Sequence, residues 1–217
     1  KREIGDREGE AASLNNLGTI AKTQGDLAEA ERLYRESLAI KREIGDRRGE
    51  ATSLNGLGHL ARIRDDLVEA ERLYRECLAI EKETGDLPGE AASLNDLGVI
   101  AQIRGDLDEA ERYCRESLGL KRQLGDRLRE ASTLGLLGLI AGDRGDLAEA
   151  ERLHLESLAI KKEIGDRQGE AKSLGNLGIV AEEHGNIDKM HKYFTECVRI
   201  HREIGIPIPQ WLIDDGY

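Results

Sequence analysis

The stretch that decides the fold is residues 11–50, AASLNNLGTIAKTQGDLAEAERLYRESLAIKREIGDRRGE. The same forty-residue phrase returns with few changes at residues 51–90, 91–130 and 131–170, and in a looser form at 171–210. The first ten residues, KREIGDREGE, match the end of the phrase at 41–50, so we interpret residues 1–10 as the end of a preceding copy. Self-similarity at a fixed period is the sequence signature of a repeat array and is read before any other feature.

Each copy carries the pattern of two helices. Apolar residues recur at three- and four-residue spacing, as one face of a helix requires: Leu14, Leu17, Ile20 and Ala21. Gly25 is a suitable left-handed end for this first helix. Asp26 followed by Glu29 then has the pattern of a capping box at the start of a second helix, which continues to Gly45. We therefore predict an all-α fold, a solenoid of antiparallel helix pairs.

A glycine stands in the middle of every first helix, where it costs about 0.5–1 kcal/mol relative to alanine. Repetition of that cost predicts that the second helix approaches too closely for a Cβ atom. The glycines are Gly18, Gly58, Gly98, Gly138 and Gly178. We expect small residues to face them, namely Ala30, Ala70, Ala110 and Ala150.

Charge and hydropathy exclude two classes of partner. The net charge of −11 opposes binding to the phosphates of nucleic acid. The sequence has no apolar run of the roughly 18 residues that a membrane span needs, so no membrane partner is expected.

The cysteines indicate a reduced protein. Cys77, Cys114 and Cys197 lie in three different copies, and Cys77 and Cys197 take a position that other copies fill with serine. This is the pattern of a small packing position, not of a disulfide framework. We therefore predict free thiols and a cytoplasmic location.

No pattern in the sequence indicates catalysis. The five histidines form no recurring arrangement with Asp and Ser, and no glycine-rich phosphate loop is present. Cys197 and His201, four residues apart, would supply only two ligands to a metal. His154 takes the position of Tyr34, so we expect it to be buried. We predict that the chain is not an enzyme and holds no cofactor or metal.

The phrase resembles the tetratricopeptide repeat. The residues that carry the resemblance are Leu14, Leu17, Gly18, Ala30, Tyr34 and Ser37. Two features depart from the family pattern: Arg42 stands where the usual proline closes the second helix, and the period is forty residues instead of 34. This longer form is similar to the repeats of kinesin light chains and of spindle-orientation adaptors that bind extended peptides, and to arrays in bacterial and archaeal signalling ATPases and transcription regulators. The resemblance implies a right-handed superhelix whose first helices line a concave groove.

On that alignment, the groove-facing residues are those that vary between copies. The predicted peptide-binding residues are Asn15, Thr19, Lys22, Asn55, His59, Arg62, Asn95, Val99, Gln102, Leu139, Asp143, Ile179 and Glu182. Asparagine can pair with the backbone of any extended chain, because its amide both donates and accepts. Lys22 and Arg62 favour an acidic group near the first two copies. The alternative is that the variation is drift and that the asparagines serve only helix–helix hydrogen bonds.

The two ends of the array differ from its middle. Pro207 and Pro209 exclude a continuing helix, and residues 211–217 are expected to form a cap in which Trp211, Leu212 and Ile213 cover the last copy. The N-terminal end has only part of a copy to cover its apolar face, which leaves self-association through exposed ends open.

The sequence is consistent with three functions. The first is a protein-interaction scaffold that binds an extended peptide segment, as part of a larger signalling or regulatory protein. The second is an architectural, self-assembling array with no groove ligand. The third is an accessory domain of an enzyme whose chemistry lies outside this chain.

Overall fold

Helices account for nearly all of the secondary structure. A computed structural model describes residues 2–214 and 216, with side chains from residue 6 onward. Over that range there are eleven helices and no strand: α1 (Arg2–Thr23), α2 (Leu27–Ile44), α3 (Arg47–Ile63), α4 (Leu67–Thr84), α5 (Leu87–Ile103), α6 (Leu107–Leu124), α7 (Arg127–Asp143), α8 (Leu147–Glu163), α9 (Arg167–Glu183), α10 (Ile187–Ile204) and α11 (Gln210–Asp214). None of the helices within those ranges is both long and apolar enough to cross a bilayer.

The helices group into two compact units. The first unit, Lys1–Arg104, contains α1 to α5, in which each helix packs against the next. The second unit, Gly105–Tyr217, contains α6 to α11, and α6 to α10 again pack in succession. The boundary lies between α5 and α6, within the third copy of the phrase.

The turns confirm the expected helix ends. Gly25 has φ +83° and Gly45 has φ +74°, the left-handed conformation that glycine adopts without strain. In the second copy Asp65 holds this conformation with φ +61°. The Asp26 carboxylate accepts the Glu29 N–H at 3.0 Å and so caps α2.

The capping box is only half formed, so that part of the prediction is wrong. The Glu29 carboxylate accepts two hydrogen bonds from the Arg32 guanidinium, at 2.8 and 2.7 Å, instead of reaching back to Asp26. The Asp26 N–H is already satisfied by the Ala21 carbonyl at 3.0 Å. With no free donor at Asp26, Glu29 turns outward to the arginine.

The glycines in the first helices confirm a close approach, but to a different partner. A Cβ atom at Gly18 would lie 2.9 Å from the Tyr34 ring, and one at Gly138 would lie 2.6 Å from the His154 ring. The expectation that Ala30 and its equivalents face these glycines is wrong, because the nearest atoms belong to the rings. Gly18, Gly58, Gly138 and Gly178 make room for a ring one helical turn beyond the alanine position, whereas Cys114 takes the ring position in the third copy.

Ion pairs between neighbouring copies were not predicted by the sequence reading. Arg64 pairs with Glu31 and Arg104 pairs with Glu71, each thirty-three residues apart. Arg144 pairs with Glu111 in the same way at 2.7 Å. In the last copy His184 replaces this arginine, and Lys189 instead reaches Glu151 at 2.5 Å. The recurrence of the contact by a different residue indicates that it helps to set the stacking.

The ends of the chain differ in how well they are covered. Leu212 in α11 is fully buried against the last helix pair, and the Trp211 ring lies edge-on to Phe194 with 5.2 Å between centroids. Ile213 is exposed. At the other end Ile20 in α1 is 51% exposed, whereas its equivalent Leu60 is 1% exposed.

Candidate peptide-binding surfaces

The first helices of neighbouring copies lie side by side within each unit. In the first unit α1 contacts α3 directly, and in the second unit α7 contacts α9. The second helices reach their neighbours mainly through these first helices, since α2 packs on α3 and α8 packs on α9. The predicted groove residues lie on these first helices, and we call the face that carries them the inner side of each unit.

The predicted residues fall into two sets, one in each unit. The first-unit surface consists of Asn15, Thr19 and Lys22 on α1, Asn55, His59 and Arg62 on α3, and Asn95, Val99 and Gln102 on α5. The second-unit surface consists of Leu139 and Asp143 on α7 and of Ile179 and Glu182 on α9. Within each helix the spacing is three or four residues, so the members share one helical face.

The asparagines of the first-unit surface are in different states. Asn15 Oδ1 accepts a hydrogen bond from the Ser53 hydroxyl at 3.2 Å, so this oxygen serves the contact between two copies. Asn55 is half-buried and, among the described residues, makes no hydrogen bond with its side chain. Its amide can therefore pair with a ligand backbone without breaking an existing bond.

Equivalent positions in the five copies form a row across the two surfaces: Thr19, His59, Val99, Leu139 and Ile179. In the first two copies the row residue is hydrogen-bonded to the ring that packs beneath it. The Tyr34 and Thr19 hydroxyls lie 3.0 Å apart, and the Tyr74 hydroxyl lies 3.1 Å from His59 Nδ1. In the last copy the equivalent pair, Phe194 and Ile179, is apolar at both positions. Part of the variation in this row therefore follows the ring below it and is not evidence of ligand specificity.

The fourth copy breaks this match between row and ring. His154 is 1% exposed, as the sequence predicted, but its equivalent row residue is Leu139, which has no polar atom to offer. His154 Nδ1 is buried without a hydrogen-bond partner in the described part of the chain. Burial, with the nearby Lys161 charge, lowers the pKa of His154 to about 4, so its ring is neutral at pH 7.

Positive charge collects around His59 in the first unit. Burial, together with the charges of Lys22 and Arg62, lowers the pKa of His59 to about 4. The two cations come from different helices, and the charge of each acts on the same ring. The Asp96 carboxylate is 3.9 Å from His59 Nε2 and offsets part of this charge. The result is a small basic region beside Asn55 in a protein whose net charge is −11.

The second-unit surface is apolar and acidic. Leu139 and Ile179 are 39% and 41% exposed, so each helix presents an accessible aliphatic side chain. Asp143 and Glu182 lie one turn further along α7 and α9, and both are exposed. This surface suits aliphatic and basic side chains of a ligand and disfavours acidic ones.

A separate cleft lies on the outer side of the first unit, between α2, α3 and α4. Its volume is about 700 Å³, and its floor includes Leu54, Leu57 and Leu60. Its walls are charged, but the charges are paired with one another: Arg42 with Glu76 at 2.5 Å and Arg72 with Glu76 at 3.0 Å. A charged ligand would have to displace these pairs, so we regard this cleft as a weaker candidate than the inner surface.

The described residues contain no group of three or more His, Cys, Asp and Glu side chains placed to hold a metal ion. Cys197 Sγ lies 3.6 Å from His201 Nδ1, but that nitrogen also lies 2.9 Å from the Cys197 carbonyl oxygen. All three cysteines are buried and free. Burial raises the pKa of Cys114 to about 12 and of Cys197 to about 11, so neither thiol ionises at neutral pH.

The paired helices and their inner surfaces define a helical repeat protein of the kind that presents an extended face to other molecules. A family model described as tetratricopeptide repeat matches residues 49–123, 89–163 and 129–203, and a second model of that description matches residues 11–44. The chain belongs to the tetratricopeptide repeat family. Comparison with curated protein sequences found no match.

Solved structures support the same fold. BtubC (BKLC) from P. vanneervenii is similar with a TM-score of 0.81 and 23% identity, over 96% of this chain and 93% of that one. A Podosopora anserina putative kinesin light chain with nearly identical TPR-like repeats is similar with a TM-score of 0.76 and 16% identity, over 91% of this chain and 97% of that one. A Rap protein complexed with Competence and Sporulation Factor has a TM-score of 0.77 and 16% identity, over 89% of this chain and 54% of that one. These likenesses confirm the all-α repeat solenoid and the resemblance to kinesin light chain repeats.

Proposed function

We propose that this chain is a protein-interaction scaffold that holds an extended peptide segment on its inner helical surface, within a larger signalling or regulatory protein. The observation that carries the proposal is the basic region of the first unit, where Lys22, His59 and Arg62 converge beside the unpaired amide of Asn55. A carboxylate of the ligand placed there would meet two cations, and the neighbouring ligand backbone would meet the amide. Membership of the tetratricopeptide repeat family and the likeness to a Rap protein in complex with another factor support this class of function.

The two surfaces imply different preferences along the ligand. The first-unit surface favours an acidic segment, because the charges of Lys22 and Arg62 both act at His59. The second-unit surface favours aliphatic side chains at Leu139 and Ile179, with basic groups near Asp143 and Glu182. We further propose that the protein acts in the cytoplasm, without catalysing a reaction itself.

The proposal is tested by selecting binders from a library of random linear peptides displayed on phage, with the purified chain as the target. The matched variant is Asn15→Ala, Asn55→Ala and Asn95→Ala combined, which removes the amides and leaves the charges. We expect enriched peptides to carry Asp or Glu and to bind the variant at least about tenfold more weakly, a loss of about 1.4 kcal/mol. Peptides that bind both proteins equally would contradict the proposal.

A second candidate function is an architectural array that assembles end to end. The observation that favours it is the exposure of Leu17 and Ile20 on α1, at 50% and 51%, where the equivalent residues of the next copy are buried. Such a face can stack on another helix pair. Light scattering at increasing protein concentration, with Leu17→Glu and Ile20→Glu as the control variant, distinguishes the two functions: assembly that the variant abolishes, together with no selectable peptide, would favour the architectural one.

A further inference from the structure

Neighbouring copies are joined by a buried polar contact that recurs through the array. We call each interface between the second helix of one copy and the first helix of the next a joint. At the α2–α3 joint the Lys41 ammonium donates to the Ser53 hydroxyl at 3.0 Å. At the α8–α9 joint Lys161 donates to Ser173 at 2.9 Å, and at the α6–α7 joint Lys121 donates to Thr133 at 2.5 Å. All three lysines are buried.

The α4–α5 joint carries the opposite charge at the same position. Glu81 takes the place of the lysine, and Cys77 takes the place of Ser37. The Cys77 thiol lies 3.2 Å from Glu81 Oε1 and donates to it. Glu81 Oε2 and the Ser93 hydroxyl, both buried, have no hydrogen-bond partner within the described residues. At the other joints a lysine ammonium donates a hydrogen bond to the hydroxyl of the facing helix. At this joint a carboxyl replaces the ammonium, and both that carboxyl's second oxygen and the hydroxyl lack a hydrogen-bond partner among the described residues.

Within the described residues, no cation is paired with Glu81. On the facing helix α5, a Cβ atom at Gly89 would lie 2.7 Å from Glu81 Oε1 and 2.9 Å from Asp86 Oδ2, so two carboxyl groups crowd the first turn of α5. The Gly89 N–H, which could have stabilised a second anion, already donates to Asp86 at 3.1 Å. Glu90 follows on the same helix, and its ion pair in the described part of the chain is with Lys82, at 3.7 Å.

The outer ion pairs are also weaker at this joint. At the α2–α3 joint Glu50 is held by Arg42 at 2.7 Å and by Arg47 at 2.5 Å. At the α4–α5 joint Lys82 replaces the first arginine and Leu87 replaces the second. On α3, Arg47 pairs with Glu83 at 2.7 Å and Arg48 donates to the Thr84 carbonyl at 3.4 Å, so both of these cations engage the end of α4 and not Glu81.

We propose that the α4–α5 joint is a proton-dependent hinge, tight while the Glu81 carboxyl holds its proton and loosened when that proton leaves. A protonated carboxyl can hydrogen-bond to the Ser93 hydroxyl, and the proton removes the charge whose burial is costly. An ionised Glu81 would keep hydroxyl and thiol donors, but it would be a buried charge that faces Asp86 and Glu90 with no cation paired to it among the described residues. Because α5 carries Asn95, Val99 and Gln102, loosening the joint moves one-third of the first-unit surface relative to α3.

The sign of the pH dependence follows from the environment. Burial raises the pKa of Glu81 above its ordinary value of 4.5; the neighbouring Ser93 hydroxyl and the Cys77 thiol act against this, and the Asp86 and Glu90 charges add to it. A group whose pKa is higher in the folded state contributes its full stability below the unfolded value, and that stability is lost as pH rises through the folded value. The hinge is therefore tight in acid and loosens toward higher pH.

The test is hydrogen exchange of backbone amides in the full chain, corrected for intrinsic rates, between roughly pH 5 and roughly pH 8. The α9 amides, at a joint held by Lys161, serve as the internal control. We expect the opening equilibrium of α5 to rise with pH by up to about tenfold per pH unit, while that of α9 does not. The isosteric variant Glu81→Gln should abolish the rise, and Glu81→Lys, which restores the residue of the other joints, should abolish it and protect α5 at every pH.

Two outcomes overturn the hinge. One is an α5 opening equilibrium in the wild-type protein that follows that of α9 across the range. The other is a pH-dependent opening that persists in Glu81→Gln. If Glu81→Gln fails to fold, Glu81→Lys carries the same comparison, and a persistent rise in that variant is equally decisive. The readout needs no peptide, so it is independent of the proposed function.

Discussion

The Tyr74 hydroxyl lies 3.1 Å from His59 Nδ1, so a ring on α4 holds a side chain on the inner surface of α3. Tyr34 makes the same connection to Thr19 on α1 at 3.0 Å. In the first two helix pairs a core ring and an exposed residue of the first helix are therefore linked by a hydrogen bond, and a change in either member affects both stability and surface.

Replacing Tyr74 by phenylalanine should lower the free energy of unfolding by about 1 kcal/mol, because one hydrogen bond is lost while the ring packing stays. Urea unfolding measures the change. Tyr193→Phe is the matched control, since the Tyr193 hydroxyl makes no hydrogen bond in the part of the chain described here. Equal losses in the two variants would show that the contact with His59 contributes nothing.

Two glycines on α7 should respond to the same substitution in opposite directions. A Cβ atom at Gly135 meets only Ser157 Oγ, at 3.7 Å, so Gly135→Ala should stabilise the protein by about 0.5–1 kcal/mol. A Cβ atom at Gly138 would lie 2.6 Å from the His154 ring, so Gly138→Ala should destabilise it by about 1–3 kcal/mol. Thermal or urea unfolding of both variants checks the pair, and changes of the same sign would refute the assigned packing.

His154 should make the protein sensitive to acid. Its pKa is lowered from 6.5 to about 4 by burial, so the unfolded chain binds a proton more readily than the folded one. Stability is then fully present above the unfolded value and is lost as pH falls from 6.5 toward 4, by roughly 3 kcal/mol at most. His154→Phe, which uses the ring found at Phe194, should remove that share of the loss. His59 also loses stability in acid, so the free energy of unfolding is measured against pH for both the wild-type protein and His154→Phe. Parallel profiles would exclude a contribution from His154.

The Glu130 carboxylate, 4% exposed at the α6–α7 joint, depends on two arginines. Burial alone would raise its pKa, but hydrogen bonds from Arg122 at 2.9 Å and Arg127 at 2.7 Å keep the pKa below its ordinary value. Arg122→Met combined with Arg127→Met should destabilise the protein by about 1–3 kcal/mol at neutral pH, since a buried charge is left unpaired. Arg152→Met, whose partners are more exposed, should cost at most about 1 kcal/mol. Chemical unfolding of the two variants tests this, and equal costs would contradict it.

The period and the turn residues predicted the fold because each acts locally. A glycine or aspartate that ends or caps a helix does so through its own backbone and the next three residues, and Gly25, Gly45 and Asp26 behave as their positions indicate. The aromatic partner of Gly18 was missed because it depends on how two helices cross. A one-turn difference along α2 separates Ala30 from Tyr34, and sequence spacing does not resolve it.

The surface residues were only partly interpretable from the sequence. Variation at Thr19 and His59 suggested ligand specificity, but each is bonded to a ring fifteen residues later. Comparing the two positions copy by copy would have shown the link, since polar residues accompany tyrosine and Ile179 accompanies Phe194. The charge reversal at Glu81 was equally visible in the aligned copies; its meaning required knowing that the position is buried.

The central claim, that the basic region of the first unit receives an acidic segment of an extended ligand, is tested most directly by a charge-reversal cycle. An acidic peptide selected on the wild-type chain is titrated against Lys22→Glu combined with Arg62→Glu, and a second peptide with its acids changed to lysine is titrated against both proteins. We predict that the variant loses at least about tenfold in affinity for the acidic peptide and regains it for the basic one, with both effects weakened by salt. The claim would be contradicted if the variant and the wild-type chain showed the same preference between the acidic and the basic peptide.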